Sequence, residues 1–334
     1  MAASEQVTTR HTQAFTIVEL LIVIVVIAIL AAITIVAYNG IRQSAQSSAL
    51  QAELSQAAKK LASARVTSAN NLTYPSSLSN AGITSGSLDY YYNSSSNIYC
   101  LEASEDDLSY FVVHKATTPK QGRCVSPDQL AGWWPLNGNT EDWSGYNRNG
   151  SATSATLTEG QGGQQQGGYA VNNGGMIVAQ GPLLASTMTA SIWYKSNDVS
   201  DTGMIMYAGS ANGDGWGGQQ EWHIAQQNGE FNMFTNVNGC TIGNQAFGPA
   251  DTNWHHFAVT FSNNVRRIFF DGNLIASGTN CPSITFAAYD EEIRLGRAQA
   301  NDERGANGVL DDARVYHRAL SNDEISTLYQ NGAR

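Results

Sequence analysis

Charge is scarce in this chain. Of its 334 residues only 14% are Asp, Glu, Lys or Arg, 18 basic against 28 acidic, for a net charge of −10. No run of Lys or Arg occurs, so the basic footprint of a nucleic-acid-binding protein is missing. The shortage of positive charge is greatest downstream. From Leu130 onward there are 10 Lys plus Arg and 19 Asp plus Glu, a net of −9. Cysteine is limited to Cys100, Cys124, Cys240 and Cys281, with no CxxC spacing, which argues against zinc and dithiol redox motifs. Four cysteines allow three pairings; pairing by neighbourhood, Cys100 with Cys124 and Cys240 with Cys281, is expected and gives one bridge per domain. There is no Gly-rich phosphate loop and no nucleophile elbow, and GQGGQQQGG at 160–168 reads as a flexible loop by composition. What is plentiful is Gly, at 32 residues, together with Ser, Asn and Thr. Low charge with this composition points to a β-rich extracellular protein, and the length to two or three domains.

One segment breaks the polar pattern. From Ile17 to Ala37 the chain is apolar except for Thr34 and the carboxylate of Glu19. About 20 apolar residues cross a bilayer, and 15–38 reaches that length. A secretory signal would have a shorter apolar core followed by a small-residue cleavage site. Here the helical sequence NGIRQSAQSSALQAELSQAAKKLASARV follows without a break. Within it Leu50, Leu54, Ala57, Ala58 and Leu61 recur at spacings of three and four, the stripe of an amphipathic helix. One helix is therefore expected over 15–66, apolar all round in its first half and one-sided in its second. A carboxylate deep in a bilayer costs roughly 2.5–3.5 kcal/mol, so Glu19 needs a partner. The nearest cationic side chains are Arg10 and Arg42. A free α-amine at Phe15 would lie four residues before Glu19, on the same helical face.

The stretch AFTIVELLIVIVVIAILAAITIVAYNG resembles the N-terminal signature of type IV pilins and pseudopilins. The resemblance implies that a prepilin peptidase removes the leader 1–14 by cutting between Ala14 and Phe15, and that Phe15 is then N-methylated. It also implies that Glu19 pairs with the α-amine of a neighbouring subunit when inner-membrane machinery assembles a filament. Three departures stand out. Ala14 replaces the usual leader-terminal Gly, so slower cleavage is expected. The leader has one Arg and one Glu, less basic than is typical. Val36 stands where many members carry a helix-bending Pro, so a straighter helix is expected.

Over 67–127 the segments LDYYYN, NIYCLEA and LSYFVVHK read as three strands separated by turn clusters. This segment is similar to the small disulfide-closed antiparallel sheet of short pilins, and would cover the helix stripe. A linker is expected near SPDQL. Beyond it, 128–334 holds many short strands such as TASIWYK, GMIMYAG, WHHFAVTF and RRIFFDG, divided by Gly and Asn turns. AGWWPLNGNTEDWSGYNRNG, TNWHHFAVTFSNNVRRIFFDGNLIASG and GVLDDARVYHRALSNDEISTLYQNG resemble the laminin-G-like, concanavalin A-type jelly roll. The fold expected is therefore α+β: a long N-terminal helix, a small β domain, then a large all-β sandwich. In the last piece Ser321 and Glu324 form a capping box and Gly332 a helix stop.

Glycosidases on such a sandwich place two carboxylates across one sugar bond, usually as E-x-D-x-x-E. No strand has that pattern. Glu221 is a lone acid, and Asp290, Glu291 and Glu292 read as a solvated turn. His255 and His256 are adjacent and point to opposite faces, one to the core and one to the surface. The chain is thus expected to bind rather than catalyse. Trp216, between glycines in NGDGWGGQQEW, is a candidate sugar platform; the competing reading folds it back on its own domain. Trp133, Trp134, Trp193, Trp222 and Trp254 read as core. Jelly rolls of this type often hold a structural calcium between the first and last strands. The resemblance implies Asp142 and Asp311 as carboxylate ligands, with Asn147 or backbone oxygens completing the shell; the competing reading has Asp142 in an Asx turn and Asp311 capping a strand end by hydrogen bonding.

The expected function is a surface filament subunit, minor or tip-located, that carries a binding domain for glycan or protein ligands. It would be a single-pass bacterial membrane protein before assembly and extracellular afterwards. A pseudopilin of a secretion or competence filament is the alternative, and a surface-anchored glycan-active enzyme the contrasting one.

Overall fold

A computed structural model of the chain describes residues 16–67, 72–209, 221–237, 240–241, 245–262, 264–279, 292–298 and 304–333. Helix α1 (Ile17–Thr67) runs for 51 residues, with no interruption at Val36. Its first part, to Ala49, forms one compact unit and the rest of the chain another. None of the apolar span is buried; Leu20, Ile24, Ile27 and Leu30 are all more than half exposed. In water such a face would not persist, and it is the length and composition of a membrane span.

The second unit begins at Leu50. There Leu50, Leu54, Ala57 and Leu61 are buried against Tyr99, Leu101, Ala103 and Val112, and Ala58 packs beside them. Those partners lie on an antiparallel sheet of β1 (Leu88–Asn93), β2 (Ile98–Glu105), β3 (Leu108–Val113) and the short β4 (Lys120–Gln121), in that spatial order. The helix stripe and the sheet's alternation meet as two apolar faces, and each fully buried Leu contributes about 1.5–3 kcal/mol. Hydrogen bonds fix the edge: Ser85 and Ser87 donate their hydroxyls to Glu53 at 2.5 and 2.8 Å. On the other face a disulfide joins Cys100 in β2 to Cys124, 24 positions on. Replacing both by Ser is expected to cost about 3 kcal/mol, by the loop-entropy estimate. Denaturant unfolding of the native chain with and without reductant measures it, and an unchanged midpoint would contradict the estimate.

The remaining strands form a large antiparallel sandwich. Among the described residues fourteen belong to one sheet, eleven hydrogen-bonded along a continuous path and three paired to its side. The path folds over, because strands far apart along it touch face to face: Trp222 meets Phe261 at 6.0 Å and Phe231 meets Phe257 at 5.0 Å between ring centroids. These rings sit in one core with Trp134, Ile192, Ile224 and Val315. At the centre, strand Met188–Ser196 pairs with Trp254–Ser262 on one side and with Asn307–Tyr316 on the other. It is buried along nearly its whole length, so both of its faces are covered. Helix α2 (Asn322–Asn331) covers the outer face: Tyr329 stacks on Trp193 at 5.6 Å, and Ile325 and Leu328 are buried. α2 begins with the full capping box. Ser321 accepts from the Glu324 amide, and Glu324 accepts from the Ser321 amide.

The segment expected to be a linker is clamped. The Arg318 guanidinium donates to the carbonyls of Ser126 and Asp128 at 3.1 and 3.0 Å, and also grips Glu324. Around it Ile98, Cys100, Phe111 and Val113 of the small sheet share one apolar core with Leu130, Trp133, Phe269, Tyr316 and Leu328 of the sandwich. SPDQL was polar enough to read as a tether; what rigidifies it are partners some 190 residues away in sequence.

Candidate functional site

The apolar helix opens with a capping box of its own. Glu19 Oε2 accepts the Thr16 backbone N–H at 2.9 Å and the Thr16 hydroxyl at 2.8 Å, while Thr16 Oγ1 accepts the Glu19 amide at 3.2 Å. Within one subunit, then, the carboxylate already has a polar partner: the unsatisfied first turn of its own helix. The T-x-x-E spacing was visible in the sequence, and its meaning was missed. Ala14 and Phe15 lie outside the described residues, as do Trp216 and Cys281; nothing is described for the side chains of Cys240 and Glu221.

Three residues were expected to share a calcium ion; Asp142 and Asp311 each have their own hydrogen-bond partners. Asp142 is fully buried and its carboxylate is saturated. Oδ1 accepts the amides of Trp133 and Ser144 at 3.0 and 2.8 Å; Oδ2 accepts the Ser144 hydroxyl and the Arg148 amide at 2.7 and 2.9 Å. Four donors fill a carboxylate's acceptor sites. The Ser144 amide bond makes this an Asx turn. Asn147 is exposed in the same loop with φ 58°. A cation at Asp142 would have to displace these donors, so this set does not fit one. Asp311 has other neighbours. Its Oδ2 accepts the Gln161 amide at 2.9 Å, and its Oδ1 has no partner among the described residues. Burial, reinforced by the charge of Asp312, pushes the Asp311 carboxyl up to about 8, against the opposing pull of the Gln161 and Asp312 amides and Lys120.

A carboxyl whose folded pKa is raised holds a proton that the unfolded chain has released. Its stabilising effect is complete below about pH 4 and is lost as pH rises toward 8, at about 1.4 kcal/mol per pH unit. Asp311→Asn is therefore expected to raise the melting temperature at pH 7–8 and to leave it nearly unchanged at pH 4. A variant that melts lower than the native chain at pH 8 would refute this. Repeating the melts with chelator and with millimolar calcium separates a proton from a metal ion. A calcium-dependent rise in the native chain that Asp311→Asn lacks would assign the ion to Asp311.

The strand Asn307–Tyr316 owes this arrangement to a bulge between Asp311 and Arg314, where Asp312 adopts φ 41°. The bulge turns Asp312 toward the seam between the two β domains. There its Oδ1 accepts the Trp133 indole N–H at 2.6 Å, and its Oδ2 meets Arg314 at 2.7 Å. The Arg314 guanidinium lies 4.5 Å over the Trp133 ring. Sequence reading placed Trp133 in the core, and it is there; its ionic partners were not foreseen.

Glu292, His255 and His256 are packed or paired within the sandwich. Glu292 was expected in a solvated turn, but it opens strand Glu292–Leu295, is buried, and pairs with Arg294. A strand interior shields it from water, and the guanidinium two residues on, on the same face, neutralises it. Neither histidine lies open to solvent. His256 is buried against Trp193 at 5.3 Å beneath α2. His255 is held between Asp271 at 2.8 Å and Asp251 at 3.0 Å and stacks on Phe270. Burial would lower the His255 pKa, but those two carboxylates outweigh it and hold it above the ordinary value. Both ring nitrogens are within hydrogen-bond distance of a carboxylate. Trp134, Trp193 and Trp222 are buried, and Trp254 is half-buried.

This architecture agrees with two families. Residues 9–35 match the prokaryotic N-terminal methylation motif, and residues 166–326 match the concanavalin A-like lectin/glucanases superfamily. The chain thus joins a prepilin-type N-terminal segment to a lectin-like sandwich. No curated protein matches the chain. Among solved structures, domain 4 of AbnA, a GH43 extracellular arabinanase from Geobacillus stearothermophilus, is similar at 18% identity with a TM-score of 0.49, covering 59% of this chain and 97% of that one. The botulinum neurotoxin serotype D binding domain is similar at 18% identity and a TM-score of 0.48, covering 61% of this chain and 52% of that one.

Proposed function

We propose that the chain is a subunit of a type IV pilus-like surface filament and that its sandwich serves in attachment, by binding glycan or protein ligands without catalysis. The observation that carries this reading is the form of α1. Its first half presents an unburied apolar surface headed by Glu19, and its second half is sealed under the small sheet. A membrane anchor alone has no use for the second half. A helix that leaves the membrane to join a bundle of like helices needs both. The core shared between the small sheet and the sandwich supports display of the sandwich as a fixed outer body rather than on a tether.

Two measurements test the proposal. Mass spectrometry of the surface protein should find a mature chain beginning at N-methyl-Phe15. A surface chain that retains residues 1–14 would refute the processing. Immunogold microscopy with antibody against the sandwich should label filaments at the tip or along the shaft. Label confined to the cell body would leave the protein outside any filament.

A further inference from the structure

Between the small sheet and the sandwich lies a half-open cleft of about 250 Å³. Its floor is apolar, from Phe111, Val112, Val113 and Ala116 of the small domain. One wall is the indole of Trp143, which is fixed in place: its amide donates to the Trp133 carbonyl at 2.7 Å, and its ring packs edge-on against Trp133 at 5.4 Å. The rim carries the hydroxyls of Thr117 and Thr118 and the amides of Asn137 and Gln164. These four residues line the cleft, and their side chains make no hydrogen bond among the described residues. Two lysines complete the lining. The Lys115 Nζ lies 6.0 Å over the Trp143 ring, donates to the Asp142 carbonyl at 3.1 Å, and stands 3.9 Å from the exposed Glu141. Lys120 donates to the Ala333 carbonyl at 3.3 Å.

We infer that this cleft binds an acidic saccharide, a sugar unit carrying a carboxylate. A preset aromatic face, ringed by neutral hydroxyl and amide groups, suits a sugar ring whose C–H face stacks while its hydroxyls are read by short polar side chains. The two ammonium groups add the charge preference, and they stand out in a chain with a net charge of −10. Glu141 does little to cancel Lys115, since a 3.9 Å pair between exposed groups is worth little. No arginine and no helix N-terminus lines the cleft, so the forked or backbone cradle that favours phosphate is missing among the described residues. Neither domain makes the site alone. Lys115 and Lys120 come from the small domain, and Asn137, Trp143 and Gln164 from the sandwich, so the rigid seam assembles it. The inference rests on the proposed glycan-binding role and moves its site from the Trp216 loop to the domain junction.

The test is calorimetric titration of the full chain in detergent micelles with trigalacturonate and with hyaluronan tetrasaccharide, using maltotriose and chitotriose as neutral controls. The acidic sugars are expected to bind with Kd below about 1 mM and to weaken as salt rises, with the neutral ones about tenfold weaker or worse. Lys115→Met with Lys120→Met, at positions that are not buried, should weaken the acidic sugars by about tenfold at a temperature where the variant's own melting curve shows it folded. Trp143→Ala should abolish binding, and Trp143→Phe should retain it in part. If sugars bind but the double lysine variant binds them unchanged, or if neutral sugars bind as tightly, the junction site is overturned while a glycan-binding sandwich survives. If no sugar of either kind binds, the glycan reading falls with it.

Discussion

Replacing Glu19 with Ala is expected to leave the chain in the membrane and to remove it from filaments. Insertion becomes easier, because the only ionisable group in the apolar run is gone. The helix loses its capping box, worth about 0.5–2 kcal/mol at its first turn, but the rest of the 51-residue helix continues beyond it. Assembly is where the loss should be severe, since a neighbouring subunit's α-amine would have no carboxylate to meet in an apolar bundle. The Thr16 contacts let cap and charge be separated. Glu19→Gln preserves a capping box, because Gln serves at that position, but removes the charge. Thr16→Ala removes the hydroxyl cap and keeps the charge. If charge is what assembly requires, Glu19→Gln should fail as completely as Glu19→Ala, and Thr16→Ala should still assemble. Sheared-filament yield, with membrane content as the control, decides between them. Filaments containing normal amounts of the Gln variant would show that the cap, not the ion pair, is what the acid provides.

The second large effect is expected at the seam. Asp312 and Arg314 are 4% and 6% exposed, and each accounts for the other's charge. Asp312→Ala strands a guanidinium and the Trp133 indole N–H where water does not reach, at an expected cost of about 3–5 kcal/mol. Replacing both partners by apolar residues of similar volume, Asp312→Leu with Arg314→Met, removes the stranded charge and should recover most of that loss. Trp133 belongs to the core shared by both β domains, so the single variant should also expose the crossing at 126–129 to protease. Melting of the full chain in detergent and limited proteolysis report the two effects. A single variant that loses less than about 1 kcal/mol would mean the pair is not buried as described.

Much of the fold could be read directly, wherever the information is local. The length of α1 follows from composition, and its buried stripe from a spacing of three and four that one helix face imposes. The strands β1 to β3 follow from runs of aromatic and β-branched residues between turns. The Ser321 capping box and the Gly332 stop are set within a few residues. Thr16 and Glu19 belong to this class too, because a T-x-x-E spacing closes a capping box within one turn.

What the sequence did not determine lies in contacts between residues far apart along the chain. Asp142 finds its four donors within nine residues, but Asp311 meets the Gln161 amide 150 positions away and keeps one oxygen with no partner among the described residues. That depends on which loops a bulge and a crossing bring within 3 Å. The expected linker is rigid because Arg318 reaches back 190 positions to hold it. The junction cleft exists only once two domains, each readable by itself, share a core. Backbone periodicity is encoded in neighbours, but burial, desolvation and charge pairing are properties of a place in space, and only the tertiary structure assigns residues to places.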